Sequence, residues 1–266
     1  MDPGQLLVIA GPCVVEAPDL MMEVGEKMKQ WCFERGIRYI FKSSYTKANR
    51  TKAESPSGPG LQDGLRILSH VRERLGVDLL TDVHSADEAS AAAEVVQILQ
   101  VPAFLCRQTP LLQACARACR TINVKKGQFL APEDMLEAVE KIRRIRPDAE
   151  VLLTERGASF GYRNLVVDMR SLVLLRQMPA LTIYDATHSL QHPGVGGDRR
   201  FARPLTRAAL AAGAEGIFLE VHPDPEQALS DQTTQLPLES VPAFLDEMAE
   251  LRRFLWDRET QSEDEE

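Results

Sequence analysis

The sequence lacks long hydrophobic runs, an excess of basic residues and a regular cysteine spacing. No apolar run approaches the roughly 20 residues of a membrane-spanning helix, and the N-terminal segment has no basic region that would indicate a secretory signal. The net charge of -8 argues against nucleic acid or an anionic membrane as the main partner. The 5 cysteines form no disulfide framework, which predicts a reducing, cytoplasmic location.

Short apolar runs of β type recur along the chain, with helical patterns between them. The runs are Leu6–Ala10, Tyr39–Phe41, Val77–Leu80, Val95–Leu99, Thr121–Val124, Val151–Leu153, Leu181–Tyr184 and Gly216–Leu219. Helices are predicted at Leu20–Arg35, Gly64–Leu75, Asp87–Ala93, Leu111–Arg120, Pro132–Ile145 and Arg203–Ala212. Their spacing of about 30 residues is that of a βα unit. The pattern predicts an α/β fold, a single-domain (β/α)₈ TIM barrel over residues 1–258, followed by an acidic, disordered tail at 259–266.

A doubly wound parallel sheet is the alternative to the barrel. Such a sheet usually has fewer strands and a glycine-rich turn after its first strand. The segment GPCVVE follows the first run here and does not match that fingerprint. The strand count and this segment therefore favour the barrel.

The stretch GIFLEVHPDPEQALSD, from Gly216 to Asp231, carries the last predicted strand and the polar residues that follow it. Its apolar start is typical of a strand buried on both faces. Glu220 and His222 come directly afterwards, and Asp224 is a candidate N-cap for a short helix that starts at Pro225. Two carboxylates, Glu220 and Asp231, and one histidine, His222, are therefore expected near the end of one strand.

Cations stand at several other predicted strand ends. In a (β/α)₈ barrel the residues after each strand face a common mouth. Six cations would share it: Lys42, Lys47, Arg50, Arg107, Lys125 and Arg156. Any one of them alone is more often a solvated surface charge. Six together in an acidic chain predict a site for more than one phosphate or carboxylate group.

A second set combines one thiol, one imidazole and two carboxylates from the predicted strands one, seven and eight. Its members are Cys13, His188, Glu220 and Asp231. Such mixed soft and hard donors suit Zn²⁺, Fe²⁺ or Mn²⁺. A lone cysteine near a strand end is also often a small apolar filler, so both interpretations of Cys13 stay open from the residues alone. The other four cysteines, Cys32, Cys106, Cys115 and Cys119, are interpreted as core residues. His84 and His222 either take part directly or orient a neighbour, and Asp82 and Asp185 are candidate carboxylates for fixing a lysine or histidine.

These motifs closely resemble the 3-deoxy-D-manno-octulosonate 8-phosphate synthase family from about Leu6 to about Phe254. The matching segments are IAGPCVVE, FKSSYTKANRT, TDVH, QVPAFLCRQTPLL, NVKKGQFLAP, LTERGASFGYRNLVVDMRSL, YDATHSLQ and EVHPDPEQALSDQTTQLPL. The resemblance implies a cytoplasmic transferase, usually a homotetramer, of lipopolysaccharide precursor synthesis. Its substrates are phosphoenolpyruvate and arabinose 5-phosphate, an aldose phosphate, with water. The related seven-carbon synthase, which uses erythrose 4-phosphate, is the alternative, and a non-catalytic barrel that binds a phosphorylated metabolite is a second.

The resemblance also assigns roles to residues. Cysteine in the first-strand motif implies the metal-dependent class, with a divalent ion held by Cys13, His188, Glu220 and Asp231. The catalytic residues implied are Cys13, Lys42, His188 and Asp231. The substrate-binding residues implied are Lys42, Lys47, Asn49, Arg50, Asp82, His84, Gln100, Ala103, Phe104, Arg107, Lys125 and Arg156. The loop from His192 to Phe201 is shorter than usual in the family, which leaves Arg199 and Arg200 as candidates, on charge alone, for the sugar phosphate.

Overall fold

Strands and helices alternate along the chain, and the strands close into a barrel. The computed structural model describes residues 4–48, 54–159 and 161–263. Its barrel strands are β1 (Leu7–Gly11), β2 (Arg38–Lys42), β3 (Asp78–Asp82), β4 (Ile98–Val101), β5 (Thr121–Lys125), β6 (Glu150–Glu155), β7 (Leu181–Asp185) and β8 (Gly216–His222). Sequential neighbours pair in parallel, and β8 pairs back onto β1 from Leu7 opposite Gly216 to Gly11 opposite Glu220. The predicted (β/α)₈ barrel is confirmed.

Eight α-helices lie in the described part of the chain, and they surround the strands. They are α1 (Pro18–Glu34), α2 (Leu61–Leu75), α3 (Ala86–Val95), α4 (Thr109–Ala118), α5 (Met135–Arg143), α6 (Met169–Arg176), α7 (Ala202–Ala211) and α8 (Val241–Glu263). The sequence pattern did not predict α6 and α8. It also placed Val95 at the start of a strand, whereas Val95 ends α3 and β4 begins at Ile98.

Local capping chemistry fixes several helix ends. The α2 helix stops at Gly76, which takes the left-handed conformation (φ 61°) and donates its N–H to the Arg72 carbonyl. Asp168 caps α6 by accepting the N–H of Arg170. The predicted cap at Asp224 is present, where its carboxylate accepts the N–H of Glu226 at the start of a 3₁₀ turn.

The last helix passes through the predicted domain boundary at residue 259. It continues to Glu263, and the Glu259 carboxylate holds the Arg176 guanidinium of α6 at 2.6 and 2.7 Å. Residues 259–263 are therefore helical rather than a disordered tail, because this ion pair fastens them to the neighbouring helix. Residues 264–266 lie outside the described part of the chain.

Side chains inside the barrel are sorted into two layers along the strands. The lower layer is apolar and consists of Leu7, Ile9, Ile40, Leu80, Ile98, Leu152, Ile183 and Phe218. Because successive side chains in a strand point to opposite faces, the inward residues that come next are two positions further on. They are mostly polar: Lys42, Asp82, Gln100, Thr154, Asp185 and Glu220. An apolar floor therefore supports a polar layer at the carboxyl ends of the strands.

The outward faces of the strands pack against the helices in two apolar clusters, which supply most of the core. The cysteines predicted to be core residues lie in these clusters, so that prediction is confirmed for all four. All 5 cysteines are free and buried. None of the helices in the described ranges has both the length and the apolar content needed to cross a membrane.

Candidate active site and metal centre

Three side chains that could hold a metal ion converge at the carboxyl ends of β1 and β8. Cys13 follows β1 by two residues, Glu220 lies in β8 opposite Gly11, and Asp231 lies in the loop after β8. One ligand atom from each lies within 4.8 Å of the other two. The Cys13 thiol donates to Asp231 Oδ2 at 2.9 Å. Asp231 has a left-handed backbone (φ 51°), which is uncommon for a residue other than glycine and turns its carboxylate toward the thiol's side of the mouth.

The chemistry of this trio fits a divalent cation. Glu220 is fully buried, and its Oε2 has no hydrogen-bond partner. Burial, followed by the charges of Asp231 and Glu220, raises the pKa of the Cys13 thiol well above its usual value. A cation would offset the repulsion among these groups and satisfy the orphaned Glu220 oxygen, because buried charges are otherwise paired. A thiolate with two carboxylates is a donor set suited to a borderline metal.

The predicted fourth ligand, His188, stands beside the trio without being one of its closely spaced members. Its Nε2 is 3.6 Å from Glu220 Oε1. Its Nδ1 is 2.9 Å from Asp185 Oδ2, and Asp185 Oδ1 accepts the backbone N–H groups of Thr187 and His188. This pairing holds the ring so that Nε2 faces the donors, as carboxylates do for many metal-binding histidines.

Two lysines of the predicted cation cluster are held against Glu220. Lys42 donates to Glu220 Oε1 at 2.8 Å and to the Cys13 carbonyl at 3.0 Å. The Lys47 ammonium is 3.7 Å from the same Glu220 oxygen. Although burial alone would raise the pKa of Glu220, Lys42 and its neighbouring charges hold it well below the usual range. The carboxylate is therefore ionised and fixes the positions of both ammonium groups.

Lys125 occupies the floor of the site. Its ammonium is 2.5 Å from Asp185 Oδ2 and 3.0 Å from the centroid of the Phe218 ring. Burial lowers the pKa of Lys125 to about 8, although Asp185 opposes that shift. The lysine is therefore mostly charged at neutral pH and loses its charge as the pH rises through about 8, and an anion bound beside it would favour the charged form.

A bridge through Gln191 joins the metal-binding trio to Arg156. The Gln191 amide donates to Asp231 Oδ1 at 2.7 Å, and its carbonyl accepts from Arg156 Nη2 at 2.9 Å. Arg156 is almost completely buried, and its Nη1 has no partner. These residues line a cavity of 710 Å³ that opens between the loops after β6, β7 and β8. The cavity wall therefore combines a guanidinium that has an unsatisfied donor with a carboxylate that could hold a metal ion.

Polar side chains form a hydrogen-bonded chain from the loop after β2 across the adjacent strands β3, β4, β5 and β6. Its members are Ser44, Asp82, Gln100, Asn123 and Thr154. Ser44 donates to Asp82, and the Gln100 amide donates to the other Asp82 oxygen at 2.6 Å. Asn123 donates to Gln100 at 2.6 Å and accepts from Thr154 at 2.7 Å. The chain fixes the orientation of the Gln100 amide and the ionised Asp82, whose pKa is about 2 because Lys42 and Lys47 outweigh its burial.

The remaining predicted histidines are tied to carboxylates at the rim. His84 Nδ1 is 3.3 Å from Glu88 Oε2, and the Tyr45 hydroxyl donates to the same oxygen at 2.6 Å. His222 accepts the N–H of Asp224 at Nδ1, and its buried Nε2 lies 3.5 Å from a Glu16 oxygen. Neither is among the three closely spaced metal donors. Both therefore stabilise the loops that frame the mouth.

Other predicted site residues lie further from this centre. Ala103 is buried after β4, and Phe104 lines the 710 Å³ cavity. Arg107 is exposed and lines a separate 240 Å³ pocket. It stands apart because the 3₁₀ turn Ala103–Leu105 and the start of α4 carry it to the outer surface. Asn49 and Arg50 fall outside the described residues.

The two arginines considered for the sugar phosphate are engaged elsewhere. Arg200 forms a bidentate pair with Asp198 at the surface. Arg199 donates to the backbone carbonyls of Gln232 and Thr233, which follow Asp231 directly. Arg199 therefore supports the loop that carries a metal-binding carboxylate. The segment between β7 and α7 forms a short hairpin, with Gln191–His192 paired to Gly196–Gly197.

Sequence reasoning missed the uncharged members of the site. They are Ser44, Asn123, Thr154, Thr187 and Gln191. For Thr154 a usable pattern existed, because it lies two positions after the inward-facing Leu152, and Asn123 lies two positions before Lys125. Gln191 offered no such pattern, since it lies in a loop and its contacts join distant parts of the chain.

Comparisons with known proteins agree with this geometry. The model of the DAHP synthetase I family matches residues 2–256. Similar proteins named 2-dehydro-3-deoxyphosphooctonate aldolase include one from Trichlorobacter lovleyi, 50% identical over 92% of this chain and 92% of the relative. Others come from Citrifermentans bemidjiense, 51% identical over 90% and 89%, and from Magnetococcus marinus, 49% identical over 93% and 88%. A match to a family model over nearly the whole chain, on a barrel with this polar mouth, shows that the chain belongs to the DAHP synthetase I family.

Proposed function

We propose that this chain is a metal-dependent transferase that condenses phosphoenolpyruvate with D-arabinose 5-phosphate and water. The products are 3-deoxy-D-manno-octulosonate 8-phosphate and inorganic phosphate, so the enzyme supplies a lipopolysaccharide precursor. The observation that carries the proposal is the convergence of Cys13, Glu220 and Asp231 beside buried cations at the barrel mouth. The printed name of the relatives, which are about half identical to this chain, favours this reaction over other chemistry in the family.

The buried cations bind phosphoenolpyruvate. Lys42, Lys47, Lys125 and Arg156 surround the polar layer, and Arg156 retains a free buried donor. A phosphate and a carboxylate offer enough acceptors for these groups, and bidentate pairing suits the guanidinium. The cations are held in place by Glu220, Asp185 and Gln191 before any ligand arrives. They therefore stabilise developing negative charge without a reorganisation cost.

Bond formation requires two substrates to meet face to face. C3 of phosphoenolpyruvate forms a carbon–carbon bond to the aldehyde carbon of the sugar phosphate, while water adds at C2 and phosphate leaves. Lys42 and Lys47 both lie against Glu220 Oε1 of the trio. They orient the phosphoenolpyruvate so that C3 faces the acceptor, which removes much of the entropic barrier to the encounter.

Cys13, Glu220, Asp231 and His188 hold the divalent ion, for which Zn²⁺, Fe²⁺ and Mn²⁺ are candidates. Such an ion either polarises an aldehyde oxygen or lowers the pKa of a bound water. Asp185 holds the His188 ring, and Gln191 holds Asp231, so both ligands keep their orientation. Lys42 donates to Glu220 Oε1, and the buried Oε2 has no hydrogen-bond partner, so Oε2 is the oxygen that would bind the ion.

The acceptor distinguishes this function from the seven-carbon alternative. The proposed acceptor is the five-carbon aldose phosphate, with Asp82 and His84 along its chain and Asn49 and Arg50 at its phosphate. We also propose a homotetramer in the cytoplasm. All 5 cysteines are free thiols, which suits a reducing compartment, and light scattering of the purified protein measures the assembly.

The test measures phosphate release with arabinose 5-phosphate and with erythrose 4-phosphate, before and after a chelator and metal add-back. We expect turnover with the pentose phosphate, its loss in chelator and its return with Mn²⁺ or Zn²⁺. Cys13→Ala should lose both bound metal and turnover, whereas Cys13→Asn should keep some metal-independent turnover. Cys115→Ala, which removes an equally buried thiol from α4, is the matched control and should keep both. Full activity of Cys13→Ala in chelator would refute the metal assignment, and preference for erythrose 4-phosphate would refute the acceptor.

A further inference from the structure

A second cavity lies at the opposite end of the barrel from the site described above. It has a volume of 520 Å³ and is lined by residues at the amino ends of the strands. Arg38 begins β2, Glu150 begins β6, Leu181 begins β7 and Glu215 directly precedes β8. The α8 helix closes one side with Arg252 and Trp256. No part of the proposed reaction uses this end of the molecule.

Arg252 is the unusual feature of this cavity. Its side chain is only 4% exposed, yet within the described ranges it makes no hydrogen bond or ion pair, and its Nε is buried without a partner. Its guanidinium lies 5.5 Å from the Trp256 ring. An arginine stays protonated inside proteins. Burial lowers the pKa of Arg252, and the charges of Glu259 and Glu215 oppose that shift. The charge is therefore partly compensated, but the buried Nε donor lacks a hydrogen-bond acceptor.

Two further arginines line the same cavity. Arg143 gives one donor to the Pro179 carbonyl at 2.7 Å, and its buried Nε has no partner. Arg38 is 3.7 Å from Asp78. The two carboxylates of the lining are partly occupied, because Glu215 accepts the N–H of Thr182 and Glu150 accepts from Thr121. The lining thus holds three arginines and two carboxylates that already accept hydrogen bonds, whereas Asp78, the partner of Arg38, lies outside it.

From this arrangement we propose that the cavity at the amino end of the barrel binds a small polyanion bearing phosphate or carboxylate groups. Arg252 and Arg143 supply buried hydrogen-bond donors, and Arg38 adds charge at the rim. The cavity volume is within the range of small-molecule sites. Guanidinium groups match the geometry of both anion types by paired N–H bonds. This inference does not depend on the proposed reaction.

The chain contains its own reporter for this site. It has 2 tryptophans, of which Trp256 lines the cavity and Trp31 packs on α1 against the core. A Trp31→Phe variant therefore leaves a single indole at the cavity. We would titrate this variant with pyrophosphate and, in a separate arm, with citrate, and record tryptophan fluorescence. We expect a saturable change with at least one probe.

Variants distinguish this site from the barrel mouth. Arg252→Met and Arg143→Met should each weaken the probe by about tenfold or more, as expected for a lost charged hydrogen bond of about 1.5 kcal/mol. Arg156→Met, which removes a cation at the opposite mouth, should leave the fluorescence titration unchanged. If Arg252→Met fails to fold by circular dichroism, Arg38→Met replaces it, with an expected weakening of about fivefold from a partly screened charge.

Two outcomes would overturn the proposal. One is that neither pyrophosphate nor citrate changes the tryptophan fluorescence in a saturable way. The other is a titration that Arg156→Met abolishes but the cavity variants do not, which would place the anion at the other mouth.

Discussion

The amide of Gln191 provides the sharpest test of how the two halves of the site are coupled. It is the single residue in the described part of the chain whose side chain hydrogen-bonds both Asp231, a proposed metal ligand, and the buried Arg156. Gln191→Met keeps the length of the side chain and removes both hydrogen bonds. Arg156 would then have two unpartnered nitrogens, because its Nη1 already lacks a partner.

The size of the effect follows from these two contacts. A hydrogen bond to a charged group contributes about 1.5–3 kcal/mol. The losses are not additive in a connected network, so we expect about 2–3 kcal/mol in total. At about 1.4 kcal/mol per factor of ten, kcat/KM should fall by about 30- to 150-fold. The metal Kd should rise by about tenfold to a hundredfold, which is typical when a residue that orients a ligand is removed.

Steady-state phosphate release and calorimetric titration with Mn²⁺ measure the two quantities separately. Gln191→Glu keeps the acceptor for Arg156, so its KM for phosphoenolpyruvate should change less than that of Gln191→Met. Gln128→Met is the control, because Gln128 lies in the same cavity wall without a side-chain contact to Asp231 or Arg156, and its metal Kd should stay unchanged. If Gln191→Met had normal metal affinity but reduced activity, the proposed coupling between Asp231 and Arg156 would be refuted. Gln191 would then only shape the cavity.

Two further predictions concern the floor of the site. Because burial lowers the pKa of Lys125 to about 8, its charge is lost as the pH rises through that value, and the KM for phosphoenolpyruvate should rise by about tenfold between pH 8 and 10 as a charged contact is lost. In Lys125→Arg the guanidinium stays charged, so equal rises in both enzymes would count against this reasoning. Asp185→Asn replaces the charged acceptor of His188 by a neutral amide and removes the counter-ion of Lys125, and should weaken metal binding by about 10- to 100-fold in a Mn²⁺ titration. Unchanged affinity would show that His188 needs no such support.

The barrel could be predicted because the sequence contains two recurring patterns, one of strands and one of helices. Fully apolar runs alternate with helical patterns at the spacing of βα units, and closure of the strands brings their ends together without further information. The predicted strands, however, ended before the observed strands do. Lys42, Asp82, Lys125 and Asp185 were expected just beyond the strands, and each is the last residue of one. A charged residue interrupts an apolar pattern, but it does not interrupt backbone pairing when its side chain points into a polar mouth.

It was harder to predict which candidate residues lie away from the site than which ones converge on it. Cys13, Glu220 and Asp231 converge because β1 pairs with β8, which follows from closure of the barrel. Arg107 stood on the same kind of evidence as Arg156, as a cation after a strand. The turn after β4 carries Arg107 outward, whereas Arg156 follows β6 directly and remains buried. The geometry of a few loop residues decides this difference, and the hydrophobic pattern of the sequence contains no information about that geometry.

The two layers inside the barrel explain how one fold supports both stability and chemistry. The apolar floor ends at Phe218, whose ring lies beneath the ammonium of Lys125. Above it, Lys42 pairs with Glu220 and Lys125 pairs with Asp185, with all four groups almost completely buried. Breaking such a pair costs about 3–5 kcal/mol because the partner is left uncompensated, so the cations stay in position without substrate. The fold thus concentrates these buried ion pairs at the carboxyl ends of the strands, on top of the apolar floor.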